Sequence, residues 1–199
     1  MRIEAAVFGP FATNCYFVYE DPQNALLVDA GFMPGAIARK ARDLSLAVRA
    51  ILITHGHGDH IRGAEELRRA FACPLYFPEG DLGLATGSFY GERYDVPQPT
   101  ALLGGGERLA MGGMEIGVLA LPGHSPGHLG YRIGDDLFSG DCLFRGSIGR
   151  YDLEGSDEAE LHRTLRRMVA LGDDVRIHPG HGPATTIAQE RRTNPFLQD

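Results

Sequence analysis

Thr54-His55-Gly56-His57-Gly58-Asp59-His60 follows directly on Val48–Ile53, a short β-branched apolar run that reads as a buried strand. Four side chains able to ligate a metal fall within six residues. Imidazole nitrogens and carboxylates suit zinc and similar divalent ions. In an extended segment alternate residues point to one side, so His55 and His57 can share one ion while Asp59 and His60 turn towards a second. Gly56 and Gly58 are expected to let the backbone bend where a Cβ would clash. A helix starting near Ile61 would aim its positive end at the site and favour an anion such as hydroxide. Without a cation to organise them, four such groups would repel one another or lose hydration.

Outward from this stretch, three more donors sit in Gly/Pro loops after apolar strands. They are His124 in Leu121-Pro-Gly-His-Ser-Pro-Gly-His128, Asp141 in Phe138-Ser-Gly-Asp, and His181 in His178-Pro-Gly-His-Gly. Strand ends are where a rigid scaffold presents functional loops. Asp29 reads as a turn or supporting residue, and His128 as a supporting or strand-packing one. His162 reads as a surface residue, and His178 is open to either reading. Gly123-His-Ser125-Pro-Gly127 formally matches the nucleophile elbow of serine hydrolases. It fails physically, because the oxyanion hole needs an N–H from the next residue, which is Pro126.

The N-terminal third reads as strands at Ile3–Phe8, Cys15–Tyr19 and Asn24–Asp29. Pro34 opens a helix running to about Leu46. Helical spacing of Ile61, Ala64, Leu67 and Phe71 predicts one helix over 61–71, followed by a strand at Pro74–Phe77. Residues 79–106 read as a short helix and a long loop, the kind that often binds ligands. Strands return at Glu107–Ala110, Met114–Leu121, His128–Ile133 and Asp136–Ser139. Ser156 is the expected cap of a helix ending at Gly172, and Asp174–Ile177 is a last strand. Two halves of strands and helices predict a sheet-on-sheet core with helices outside, formed by one domain over residues 1–199.

The chain has 199 residues, 43% of them hydrophobic, the size of one ordinary domain. Its 19 basic and 26 acidic residues give a net charge of −7. That balance disfavours a nucleic-acid binder, which needs a basic stripe, and docking on an anionic membrane. No apolar run approaches the roughly 20 residues of a spanning helix. Met1-Arg2-Ile3-Glu4 does not read as a secretory leader. Cys15, Cys73 and Cys142 are scattered and odd in number, so neither a disulfide framework nor a zinc ribbon is expected. A cytoplasmic protein is the resulting expectation. A homo-oligomer, in which a second copy completes the wall of the site, is compatible with the sequence.

The His-x-His-x-Asp-His signature, with later His124, Asp141 and His181, resembles the metallo-β-lactamase-fold superfamily. The likeness runs from Asn14-Cys15-Tyr16 through Asp29-Ala-Gly31 to Pro179-Gly-His-Gly-Pro183. Within the superfamily the chain looks like the short, single-domain bacterial members of the glyoxalase II-like group. Gly140-Asp-Cys-Leu-Phe144, Gly146-Ser-Ile-Gly-Arg-Tyr-Asp152 and Asn194-Pro-Phe-Leu197 carry that flavour. The resemblance implies an αββα sandwich (α/β, or α+β) of two mixed sheets packed face to face. It implies that His55, His57 and His124 hold one metal and Asp59, His60 and His181 a second, with Asp141 bridging. The ions implied are zinc, with iron or manganese as alternatives.

The activity implied is hydrolysis of a thioester, a hydroxyacylglutathione or related acyl thiol, by a metal-bridging hydroxide. Asp59 would orient the nucleophile and accept its proton. Tyr90, Arg93 and Tyr94 from the long loop, with Arg145 or Arg150 near Asp141, are the candidate substrate contacts. True glyoxalase II enzymes carry a further helical domain that helps hold glutathione, and too few residues follow His181 to form one. His57, where flavodiiron relatives have Glu, argues against oxygen reduction. Two competing readings are a mononuclear iron persulfide dioxygenase using His55, His124 and Asp141, and a lactone or ester hydrolase. A metal-binding but inert interaction module would be signalled by lost ligands, and none is lost.

Overall fold

Cys15, Phe17 and Tyr19 pack towards one layer of the molecule, and their neighbours Tyr16 and Val18 towards another. That period-2 alternation on a strand buried along its whole length, Thr13–Tyr19 (β2), sets the layering. In the computed structural model, which describes residues 1–198, β2 lies in a six-stranded sheet. The sheet also holds Arg2–Phe8 (β1), Ala25–Val28 (β3), Val48–Leu52 (β4), Leu75–Pro78 (β5) and Ala101–Leu103 (β8), in the order β1-β2-β3-β4-β5-β8. β1, β2 and β3 pair antiparallel, and β3, β4, β5 and β8 run parallel.

The second six-stranded sheet contains Arg108–Met111 (β9), Met114–Ala120 (β10), Leu129–Ile133 (β11), Asp136–Gly140 (β12), Arg176–Pro179 (β15) and Thr185–Thr186 (β16). Two small hairpins complete the strands: Ser88–Phe89 (β6) with Glu92–Arg93 (β7), and Leu143–Phe144 (β13) with Ser147–Ile148 (β14). Between the large sheets, Tyr16, Val18, Leu26 and Leu52 meet Ile116, Val118, Tyr131 and Phe138. The outer face of the first sheet is covered by Pro34–Asp43 (α1) and Ala64–Phe71 (α3), through Ile37, Ala41 and Leu67. Glu158–Val169 (α4) and Ile187–Thr193 (α5) cover the second, through Leu161, Leu165, Met168 and Ile187. The result is the expected αββα sandwich.

β10 and β12 are both antiparallel to β11 and so run the same way, and β15 is parallel to β12. Their C-terminal ends therefore share one edge. The loop after β4 and the start of β2 reach it too, because Thr54 O accepts from Leu129 N (2.8 Å) and Gly180 O accepts from Asn14 N (2.7 Å). The carboxyl ends of strands are the usual place for a ligand in α/β sheets.

Local structure departs from expectation in four places. The helix expected over 61–71 is two, Gly58–Ile61 (α2) and α3, because the backbone of the loop after β3 intrudes. Ala30 N donates to His60 O (2.8 Å) and Ala30 O accepts from Gly63 N (2.9 Å). α1 stops at Asp43 rather than near Leu46, since Ser45 turns left-handed (φ 56°). Asp157, not Ser156, caps α4 by accepting from Glu160 N (2.8 Å), while Ser156 Oγ donates to Leu153 O. Residues 79–106 hold a 3-10 helix (Glu79–Leu84), the β6–β7 hairpin and β8, which extends the first sheet.

Candidate metal centre

His55 leaves the buried end of β4 with its ring fully buried. Its Nδ1 lies 3.0 Å from Thr54 Oγ1, and Thr54 Oγ1 lies 2.9 Å from Asp29 Oδ2. The single Thr54 hydroxyl proton goes to the carboxylate, so the hydroxyl oxygen accepts from His55 Nδ1–H. That fixes the tautomer and turns the His55 Nε2 lone pair into the site, where the buried atom has no partner. His60 repeats the device: Nδ1–H donates to Asp29 Oδ2 (2.8 Å) and Nε2 faces inward. His124 donates Nδ1–H to the Arg150 carbonyl oxygen (2.8 Å), again freeing Nε2. Histidines prepared for a metal characteristically give their other N–H to a carboxylate or carbonyl.

The inward atoms converge. One set is His55, His57 and His124, a second is Asp59, His60 and His181, and within each the donor atoms lie within 4.8 Å of one another. Asp141 stands between them, Oδ2 being 3.7 Å from His124 Nε2 and 3.3 Å from His181 Nε2, and Oδ1 3.4 Å from His60 Nε2. His57 Nδ1 is 2.9 Å from His124 Nε2, and His60 Nε2 is 3.3 Å from His181 Nε2. Each gap is bridged by a proton or by a cation between the facing nitrogens. The buried Asp141 Oδ1 and His55 Nε2 have no hydrogen-bond partner, and an orphaned buried polar atom is costly. This donor set fits two divalent ions.

The electrostatics say the same. Burial disfavours charge on His181, but hydrogen bonds to Asp141 and Asp59 outweigh it and push the imidazole up to about 10. His60 is likewise raised, burial being overcome by Asp141, Asp59 and Asp29. Burial, then His124, push His57 down to about 4, and burial keeps His55 neutral. His60 and His181 thus gather positive charge around the carboxylates, while His55 and His57 stay neutral. The neutral imidazoles are ready to ligate, whereas a metal ion bound at His60 and His181 would have to displace their protons, supplying in their place the positive charge the carboxylates draw in.

Asp81 was not among the residues singled out in the sequence. It is fully buried and ties the two ligand loops together. Its Oδ2 accepts from Gly56 N (2.9 Å) and Ser125 Oγ (2.6 Å), and its Oδ1 from Gly127 N (2.5 Å). Ser125 is thereby a donor to Asp81. Gly56 and Gly58 stand where a Cβ would clash, as expected, and neither has a left-handed backbone; glycine is required there for space. A Cβ at Gly56 would lie 2.7 Å from Asp81 O, and one at Gly58 2.3 Å from the Phe89 ring. The expected helix over 61–71 does not aim its N-terminus at the site, since α2 is a single turn that itself carries Asp59 and His60.

Asp29 has the supporting place expected of it. His128 accepts Asp141 N at Nε2 (3.0 Å), holding the Asp141 backbone. His178 is structural: it pairs with Asp136 (2.8 Å) and stacks on Phe138. Over the cluster lies a cavity of about 610 Å³, lined in part by Tyr90 and Arg150. Arg93, Tyr94 and Arg145 are not among its lining residues. Arg93 lies beyond the β6–β7 turn, Arg145 is exposed at the turn between β13 and β14, and Tyr94 packs against the outer core of the first sheet.

A family model described as "Metallo-beta-lactamase superfamily" matches residues 8–181. The chain belongs to the metallo-beta-lactamase superfamily. Fold and His/Asp cluster together imply divalent-metal binding, and the superfamily is one of metallo-hydrolases. Among superfamily members, a hydroxyacylglutathione hydrolase (GloC) of Haemophilus influenzae is 34% identical over 208 residues, spanning 99% of this chain and 98% of that protein. The crystal structure of the BLEG-1 B3 metallo-beta-lactamase superposes with TM-score 0.94 at 33% identity, covering 100% of both chains. That of TTHA1623, in a di-iron-bound form, superposes with TM-score 0.88 at 40% identity, covering 98% of this chain and 100% of that one. Among the described residues, no helix is long and apolar enough to cross a membrane.

Proposed function

We propose that this chain is a metal-dependent thioester hydrolase acting on a small acyl thiol. The observation that carries the reading is the doubled donor set, with Asp141 within reach of both halves. His55, His57 and His124 would hold one ion and Asp59, His60 and His181 the other, with Asp141 shared. When bound, a pair of divalent ions supplies Lewis acidity that brings a water pKa to about 7, making hydroxide available at neutral pH.

The residues of the chain do the remaining work. Asp59 lies 3.2 Å from His181 Nε2 and accepts from Thr13 Oγ1 (3.3 Å), which steers its carboxylate. That placement lets Asp59 orient the attacking water and take its proton. Water adds to the acyl carbon, the C–S bond breaks, and the proton leaves with the thiolate to give acid and thiol. A thiol of pKa about 8.5 leaves without a dedicated acid, and no such acid is needed from the chain. Asp29 and Thr54 keep the imidazoles in the ligating tautomer throughout.

The full sequence-length likeness to a hydroxyacylglutathione hydrolase supports thioester chemistry. Zinc is the metal proposed, and the di-iron relative makes iron its competitor. The test is elemental analysis of protein purified without added metal, followed by thiol release from S-D-lactoylglutathione and simpler thioesters. Two metal equivalents, with thiol release lost on chelation and regained on reloading, are expected. One iron per chain with oxygen uptake on glutathione persulfide would replace this reading by the dioxygenase one.

A further inference from the structure

Phe11, Phe89 and Tyr90 form a continuous ring wall on one side of the cavity, with centroids 5.4 Å apart for Phe11–Phe89, 5.2 Å for Phe11–Tyr90 and 4.8 Å for Phe89–Tyr90. The wall is built rather than incidental. Phe89 sits against the backbone of Gly58, between the ligand residues His57 and Asp59. Phe11 stacks on Phe32, and the Arg62 guanidinium lies 5.0 Å over Phe32 while pairing with Glu92 of the same hairpin. Tyr90 and Gly91 make the two-residue turn of that hairpin, both left-handed (φ 47° and 78°). Asn-Gly is the favoured pair for such a turn, and a tyrosine there is strained. Tyr90 is nonetheless 77% exposed, so no core contact accounts for it.

The charges on the wall are as informative. Among the described residues, Arg150 is the one Lys or Arg side chain lining the cavity. It already donates from Nε and one terminal nitrogen to Asp152 (2.8 and 3.0 Å), and Glu154 lines the cavity beside it. Glutathione carries two carboxylates remote from its sulfur. They would meet rings and a carboxylate here instead of the paired cationic donors that carboxylates need. We infer that the group carried beyond the reacting carbonyl by the true substrate is uncharged and apolar, an aryl or branched-alkyl moiety stacking on Phe11 and Tyr90. Its class is a neutral aromatic or aliphatic thioester rather than a glutathione one. For the chemistry this rests on the hydrolase reading above; for binding it rests on the wall alone.

The experiment measures both separately. Three D-lactoyl thioesters, of 2-phenylethanethiol, N-acetylcysteamine and glutathione, are assayed by thiol release. The matching thioethers, with methylene in place of the carbonyl, are titrated calorimetrically into metal-loaded protein. The phenylethyl thioether should bind about tenfold or more tightly than the glutathione one, the return on one well-buried ring contact. Phe11→Ala and Tyr90→Ala should each shrink that preference about three- to tenfold, and Tyr90→Lys should move it towards glutathione. Tyr90 is exposed, so its variants test the wall without testing the fold. Tighter binding of the glutathione thioether, or a preference unmoved by loss of both rings, overturns the inference. Absence of turnover on all three thioesters with the binding preference intact overturns the thioesterase assignment and leaves the wall standing.

Discussion

Replacing Asp81 by asparagine is the sharpest perturbation of the centre that touches no metal donor. The carboxylate accepts three hydrogen bonds with no access to water, two from backbone amides and one from Ser125. An asparagine that keeps its oxygen at the Oδ2 position retains Gly56 N and Ser125 Oγ, but presents an NH2 to Gly127 N–H, donor against donor. One charge-assisted bond is lost at about 1.5–3 kcal/mol, and the other two weaken as the charge disappears. About 3 kcal/mol in all is expected, a large part of the roughly 5–15 kcal/mol that holds a domain folded. Because Asp81 joins the loop of His55 and His57 to that of His124, affinity for the ion proposed at those three should fall about 10–100-fold. The ion proposed at Asp59, His60 and His181 should loosen much less. Urea denaturation of the metal-free protein gives the first quantity, and competition with a chromophoric chelator gives the two affinities. Unchanged stability, or equal loosening of both ions, would refute the idea that Asp81 sets the spacing of the two ligand loops.

His57→Ala and His181→Ala should each lower the metal content by about one equivalent while Asp141→Ala disturbs both, as read by elemental analysis after dialysis; identical loss from all three would contradict two sites. Hydrogen bonds from Arg68 hold the buried Glu65 carboxyl down to about 2 against an ordinary 4.5. A depressed carboxyl stabilises the fold above its unfolded pKa and loses that contribution as pH falls through the folded one. Wild type should therefore exceed Glu65→Gln by about 2 kcal/mol at neutral pH, after allowing for solvent around Arg69. The gap should close between about pH 4.5 and 2, and denaturation at several pH values showing a constant gap would exclude this. Tyr131 is buried and donates its hydroxyl across the sandwich to Ile53 O (2.7 Å). Tyr131→Phe should cost about 1–2 kcal/mol in urea denaturation by orphaning that carbonyl, and a cost near zero would mean that water takes its place.

The sequence carried the layering because alternation is local: the apolar residues of β2 and the run of β4 announce buried strands within a few residues. It carried the donors because ligand chemistry lies in residue type and near spacing, as in residues 55–60, and in loops that interrupt apolar strands. It did not show that 61–71 would break in two, since the cause is Ala30 of a distant loop taking up the backbone groups of His60 and Gly63. Nor did it separate Tyr90 and Arg150, which line the cavity, from Arg93, Tyr94 and Arg145, which do not. None of the five lies in a long, regular element of the sequence pattern, so the direction of each depends on packing.

Composition and periodicity by themselves determined that this chain folds as two sheets under helices and brings imidazoles and carboxylates to strand ends. Tertiary structure alone decided which ring nitrogen of each histidine faces inward, that Asp81 clamps the loop of Gly56 to that of Ser125 and Gly127, and that aromatic rings wall one side of the cavity. The reason is physical. A side chain's type is inherited from the sequence, but a hydrogen bond or a ring stack exists only once folding has chosen its partner.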